Sequence, residues 1–127
     1  MNQVIKQLWL TALESGEYKQ GQYALAKDND KGETRYCCLG VLCNIAANQG
    51  ICNKVKDEDD DIIKYSYDGE LGTLPDSVRT WAELPFRENA DSEDDSQSED
   101  EDILDLIIIN DDSNNFDKVI EIIKEIF

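Results

Sequence analysis

Three of the four cysteines fall together, in the stretch Tyr36-Cys37-Cys38-Leu39-Gly40-Val41-Leu42-Cys43, and the fourth is Cys52. Four thiolates suffice for a structural zinc. Such sites, however, present ligands in C-x2–4-C pairs, so that two thiolates converge from one turn. Here the spacing is C-C-x4-C-x8-C, and the chain contains no histidine. Adjacent cysteines rarely bridge each other, and a dithiol redox site would want C-x-x-C. Nucleophilic catalysis by a thiol needs a base, which is usually histidine. What remains is packing: a free cysteine behaves as a small hydrophobe and is among the most buried residue types. The stretch therefore reads as core, with reduced, unligated thiols. Cys38, in the first turn of a helix, is the one thiol whose position suits activation.

A second group has residue types suited to binding. Tyr18, Lys19, Gln20, Tyr23 and Arg35 bring cations, an amide and aromatic faces near one another along the chain. That set suits a flat anionic ligand such as a nucleotide, held by charge-assisted hydrogen bonds and stacking. The competing reading is that Lys19 and Arg35 pair with nearby acids while the tyrosines cover the edge of the core. Asp28-Asn29-Asp30-Lys31-Gly32 resembles the start of a calcium loop, but position 12 of such a loop would be Leu39 instead of a bidentate glutamate. No phosphate-binding glycine loop, serine elbow or zincin motif occurs. The expectation is a protein without metal, cofactor or catalytic residues. An enzyme working through carboxylates and Cys38 is kept as a remote alternative.

The elements that position these residues follow from periodicity. Ile5, Leu8, Trp9, Ala12 and Leu13 recur at helical spacing and predict a helix over 2–14, stopped by Ser15-Gly16. Residues 22–26 and 34–37 read as a β-hairpin around a turn-rich loop. A helix over 38–48, apolar nearly all round, should lie at the centre of the fold. Gly40 within it suggests a close backbone approach, expected from the first helix. Residues 53–61 read as a charged loop, 62–67 as a strand and Asp68-Gly69 as a turn. Leu74-Pro75 introduces a short helix over 76–83 with Val78, Trp81 and Ala82 inside. A short apolar helix follows over 103–109, then a polar turn over 110–115. The closing helix, 116–127, carries Phe116, Val119, Ile120, Ile123 and Phe127, with Asn114 or Asn115 as its N-cap. The fold class is thus α+β: one small helix-rich domain, residues 1–127, with a β-hairpin before a central, buried, Cys-rich helix.

Charge bounds the partners. The net charge is −17 over 127 residues, but fourteen of the 29 acids lie in residues 57–61 and 88–102. Outside those two runs, 15 acids face 12 bases, so a body of charge −3 carries two acidic segments. Residues 88–102 contain a single apolar member, Ala90, and are expected to be disordered. An acidic balance disfavours direct binding to nucleic acid or anionic membrane. It suits a basic protein partner or imitation of a nucleic acid. No apolar run is long enough to span a bilayer, and the N-terminus lacks a secretory pattern, so an intracellular protein is expected.

The blocks Trp9-x2-Ala12-Leu13-x-Ser15-Gly16-x-Tyr18-x-Gln20, then Tyr36 to Cys43, then Leu74-Pro75-x2-Val78-x2-Trp81, then Asn110-Asp111-x4-Phe116 resemble, in their order, a family of small uncharacterised tailed-bacteriophage proteins. The resemblance covers most of the chain, and the acidic 88–102 segment stands as an insertion within it. It implies a phage accessory protein in the host cytoplasm, with counter-defence as the setting. It implies no catalytic residue. The leading expectation is a non-enzymatic protein that binds a host component, sequestering an anionic nucleotide-like ligand at Tyr18, Lys19, Gln20, Tyr23 and Arg35. The alternative is an acidic decoy for a basic or DNA-binding host protein, acting through 57–61 and 88–102.

Overall fold

The structure, a computed structural model, describes residues 1–21, 24–29, 31–59, 62–84, 106–111 and 115–126. The first helix, α1 (Gln3–Ser15), starts because the Asn2 side chain accepts hydrogen bonds from Val4 N and Ile5 N at 2.9 and 3.1 Å. It stops at Gly16, which takes the left-handed conformation (φ 82°). Its buried face is Ile5, Trp9, Leu10 and Leu13, whereas Leu8, expected inside, is 41% exposed. The stripe is rotated toward Leu10.

Five strands follow: β1 (Lys19–Gln20), β2 (Ala26–Asp28), β3 (Thr34–Tyr36), β4 (Lys54–Asp59) and β5 (Ile62–Tyr67). They form one sheet in the order β1-β3-β2-β5-β4, antiparallel except for the parallel pair β1–β3. The β2–β3 hairpin matches expectation, with its first strand displaced toward the loop. Asn29 closes it: its Oδ1 accepts from Lys31 N and Glu33 N, both at 2.9 Å. Between β3 and β4 runs α2 (Cys38–Asn48), and α3 (Asp76–Ala82), α4 (106–111) and α5 (Asp117–Ile126) complete the chain. The fold is a small α+β domain.

The Cys-rich helix is the centre of the core. Residues Cys38 to Cys43 and Ala46 are fully buried. Trp9 on α1 donates its indole N–H to Cys38 O at 2.9 Å, tying the two helices. Gly40 is required, but by a different neighbour from the one expected. A Cβ built there would sit 1.8 Å from Leu25 O, so the backbone leading into β2, and not α1, presses on the helix. Cys37 precedes the helix, and its sulfur accepts from Gly40 N at 3.4 Å.

Two segments depart from the sequence-based expectation. Residues 54–59 form a strand where a charged loop was expected. The acidic run sits on a sheet edge, where charge protects against edge-to-edge association. Its partner supplies the reason it forms: β5 is rich in β-branched and aromatic residues, and Asp57 pairs across to Lys64. Asn110, expected in a polar turn, lies within α4 and is wholly buried. Its Oδ1 accepts from Cys38 N at 3.1 Å, and its Nδ2 donates to Gly21 O at 2.9 Å. One side chain thus serves the N-terminus of α2, which would otherwise bury an orphan donor. Of the residues expected inside the later helices, α3 buries Val78 and Ala82 while Trp81 is only half-buried against the core, and α5 buries Val119, Ile120 and Ile123, with Phe116 buried just before it. Asn115 Oδ1 accepts from Asp117 N at 3.0 Å at the start of α5. Asn114, Phe127 and the segment 88–102 lie outside the described residues.

Candidate functional site

Side chains alternate between the two faces of a strand, and residues directly opposite on neighbouring strands share a face. The sheet register therefore sorts every strand residue. On the inner face, Gln20, Tyr36, Ala26, Tyr65 and Lys56 are aligned, with Tyr67 and Lys54 beside them. This face meets α2: Asn44 Oδ1 accepts from Lys54 Nζ at 2.9 Å and from Tyr67 Oη at 3.3 Å, and Asn44 Nδ2 donates to Tyr18 Oη at 3.0 Å. The Lys54 ammonium lies 5.4, 4.8 and 5.9 Å from the ring centroids of Tyr36, Tyr65 and Tyr67. It clamps the edge strand onto the aromatic face.

The outer face is different. Lys19 pairs with Arg35, Arg35 with Lys27, Lys27 with Lys64, and Lys64 with Asp57. Each of the five strands contributes one residue, in spatial order, and the first four are cations. Val55 and Ile62, which share this face beside Asp57 and Lys64, are 52% and 49% exposed, so the face is open there. The acid next to Lys27 in sequence, Asp28, turns to the inner face, where Thr34 Oγ1 (2.6 Å) and Tyr65 Oη (3.4 Å) hold it. Lys27 and Lys64 are partly exposed and make no ion pair or hydrogen bond with any described residue. Three like-charged cross-strand pairs side by side are unfavourable. In a chain of −17, placing four of twelve bases in one line is a cost that local structure does not require.

The anchor of this line is Glu33. Its Oε2 lies 3.2 Å from Lys19 Nζ, and its Oε1 lies 3.4 Å from Arg35 Nη2 and accepts from Asn29 Nδ2 at 3.1 Å. The Asn29 hydrogen bond and the Lys19 ammonium hold the Glu33 carboxyl below its ordinary range, so it is ionised throughout the physiological pH range.

The five residues expected to form one site are thus divided. Lys19 and Arg35 lie on the outer face and share Glu33, the surface pairing weighed against the ligand reading. Tyr18 and Gln20 lie on the inner side, and their polar atoms are engaged: Tyr18 Oη by Asn44, Gln20 Nε2 by Asn110 O at 2.8 Å. Tyr23 lies outside the described residues. Tyr18 and Gln20 do line a cleft of about 530 Å³, between the end of α1, β1 and the start of α5. Leu13, Phe116 and Ile120 form its apolar wall, but its charged lining is Glu14, Asp117 and Glu121. Lys124 offsets Glu14 at 3.3 Å, and the remaining carboxylates would repel an anion.

The thiols offer no accessible nucleophile. All four cysteines are free and buried, and burial pushes Cys37 and Cys52 up to about 11 and holds Cys38 and Cys43 well above the ordinary thiol value. A neutral thiol in apolar surroundings is inert. Among the described residues, no group of three or more acids and cysteines converges as a metal site would, and no helix is long and apolar enough to cross a membrane.

Reasoning along the chain missed Lys27 and Lys64. Each sits mid-strand, in Ala26-Lys27-Asp28 and Ile63-Lys64-Tyr65, and nothing local marks either. Only the register aligns them with Lys19 and Arg35. Comparison with curated proteins and with solved structures finds no match. A family profile, by contrast, matches residues 1–127, and the chain belongs to that family, the domain of unknown function DUF8296.

Proposed function

We propose that this chain is a non-enzymatic binding protein that holds an anionic group of a host component against the outer face of its sheet. Lys19, Arg35, Lys27 and Lys64 are the binding residues. The supporting observation is their alignment, one cation per strand across four adjacent strands, in a chain otherwise dominated by acids. A stripe of four cations that shares a single carboxylate, Glu33, is best accounted for by a ligand that neutralises the rest. The resemblance to small tailed-bacteriophage proteins supports the host cytoplasm as the proposed setting, with counter-defence as the proposed purpose. The nucleobase half of the expectation loses support, because Tyr18, the described tyrosine that would stack on a base, is on the other face. The test is calorimetric titration with pyrophosphate, comparing the native protein with the double substitution Lys27→Gln, Lys64→Gln. Binding weakened at least about tenfold supports the reading. Unchanged binding in a folded double variant removes it.

A second reading is favoured by β4. Asp57 and Glu58 are exposed at fixed spacing on the sheet edge, as a decoy for a basic host protein would present them. Charge reversal at Asp57 and Glu58, or removal of residues 88–102, should then release a basic partner captured by the native chain. Anion binding at the outer face would survive either change.

A further inference from the structure

Resting on the outer-face reading, we infer that the ligand is a short linear polyphosphate, recognised by its run of charges and not by any base attached to it. The reasoning starts from spacing. Neighbouring strands lie about 4.8 Å apart, so the line from Lys19 through Arg35 and Lys27 to Lys64 spans three strand intervals, roughly 14 Å. A single phosphate reaches two of these positions at most. A chain of a few condensed phosphates, each with anionic oxygens, reaches all four.

The ends of the line set the length. Beyond Lys64 the next position is Asp57, so charge of the ligand's own sign closes that side. At the other side the line ends on β1, the two-residue edge strand. A long polyanion such as a nucleic acid would run onto Asp57 and into the field of a −17 chain. No aromatic residue stands among the five that make the line, so its described residues offer no platform on which a base would stack.

Glu33 marks where the first phosphoryl group sits. Its carboxylate is already shared between Lys19 Nζ and Arg35 Nη2, which is how a bridging anion would be held. It therefore competes with the ligand for two of the four cations. A monoanion gains little by displacing it, whereas a ligand that also reaches Lys27 and Lys64 gains both free ammonium groups.

The experiment is a titration ladder of orthophosphate, pyrophosphate, tripolyphosphate and tetrapolyphosphate, with a nucleoside triphosphate beside them, at about 50 mM salt. The proteins are the native chain, Glu33→Gln, and the double substitution Lys27→Gln, Lys64→Gln. Affinity should rise at least about tenfold from pyrophosphate to tetrapolyphosphate in the native chain, and the ladder should flatten in the double variant. Glu33→Gln should tighten every step severalfold, because it leaves Lys19 and Arg35 unneutralised. The nucleoside triphosphate should match tripolyphosphate. Equal affinity along the ladder, still dependent on Lys27 and Lys64, overturns the polyphosphate inference and leaves the outer face as a simple anion site. A nucleoside triphosphate bound at least about tenfold more tightly than tripolyphosphate overturns it too, since a base would then be recognised. Indifference of every ligand to the double variant overturns the outer-face reading itself.

Discussion

Replacing Lys27 by glutamine should make the protein more stable. Lys27 is flanked across the sheet by Arg35 on one side and Lys64 on the other, and no described carboxylate pairs with it. Directly opposite side chains have Cβ atoms about 5 Å apart, and flexible cationic ends spread somewhat further. In a water-like dielectric, two unit charges at about 6 Å repel by about 0.7 kcal/mol. Salt at 0.1 M screens over about 10 Å and takes this to roughly half. Lys64 contributes that much and Arg35, partly neutralised by Glu33, contributes less, so the relief is about 0.3–0.7 kcal/mol at 0.1 M salt and somewhat more below it, which for a domain of this size raises the melting temperature by roughly 1–3 °C. Glutamine keeps the length of the side chain and its fit on a pleated surface, so little else changes. The assay is thermal or urea unfolding of native and Lys27→Gln protein at low and at high salt. The gain should be clear at low salt and nearly gone at high salt. A variant less stable than the native chain at low salt, or a gain that ignores salt, would refute the reasoning. The ammonium would then be satisfied where it stands, and its alignment would carry no cost needing a ligand.

Three further outcomes test the scaffold that holds this face. Gly40→Ala should destabilise by about 3 kcal/mol or more, because its methyl would overlap Leu25 O and one backbone must move; urea unfolding reads this directly. Asn110→Leu, of similar size, should cost about 2–4 kcal/mol in the same assay, since Cys38 N–H and Gly21 O lose their buried partner. The buried thiols make stability pH-dependent in a defined direction. Cys37 and Cys52 ionise at about 11 in the folded chain and nearer 9 in the unfolded one. The unfolded state therefore binds fewer protons between these values, and stability should fall as pH rises from about 9 to 11. Under reducing conditions the urea midpoint should show this decline, and Cys37→Ala should make it shallower.

Much of the architecture was legible along the chain because helices announce themselves by period. The stripe through Ile5, Trp9 and Leu13 and that through Val119, Ile120 and Ile123 are local patterns, and both helices exist with those residues inside. The Cys-rich block read correctly as core for a similar reason: a helix with no polar side has nowhere else to go. What escaped depends on contacts distant in sequence. Lys54 to Asp59 looks like a solvated loop until β5 supplies a hydrogen-bond ladder and Tyr36, Tyr65 and Tyr67 supply rings under Lys54. Asn110 looks like a turn residue, and only the helix start at Cys38, 72 residues earlier, explains why it is buried. Gly40 signalled a close approach, but a glycine does not say from which side.

The candidate site shows the same limit more sharply. Tyr18, Lys19 and Gln20 are consecutive, and a chain-based reading groups consecutive residues. A strand does the reverse: its period of two sends Lys19 to one face and its neighbours to the other. On the inner side the polar atoms of Tyr18 and Gln20 are consumed by Asn44 and Asn110, so those residues hold the fold together. On the outer side Lys19 joins Arg35, then Lys27 and Lys64, which lie 8 and 45 residues further along the chain from Lys19. The division also changes the chemistry. The Tyr18 ring and the Lys19 and Arg35 cations, offered together by the linear sequence, are separated by the thickness of the sheet, so a flat ligand on the outer face does not reach Tyr18. In the proposed reading, what meets the outer face is recognised by its charge and its length, so the spacing between strands weighs more than any one side chain in what it selects.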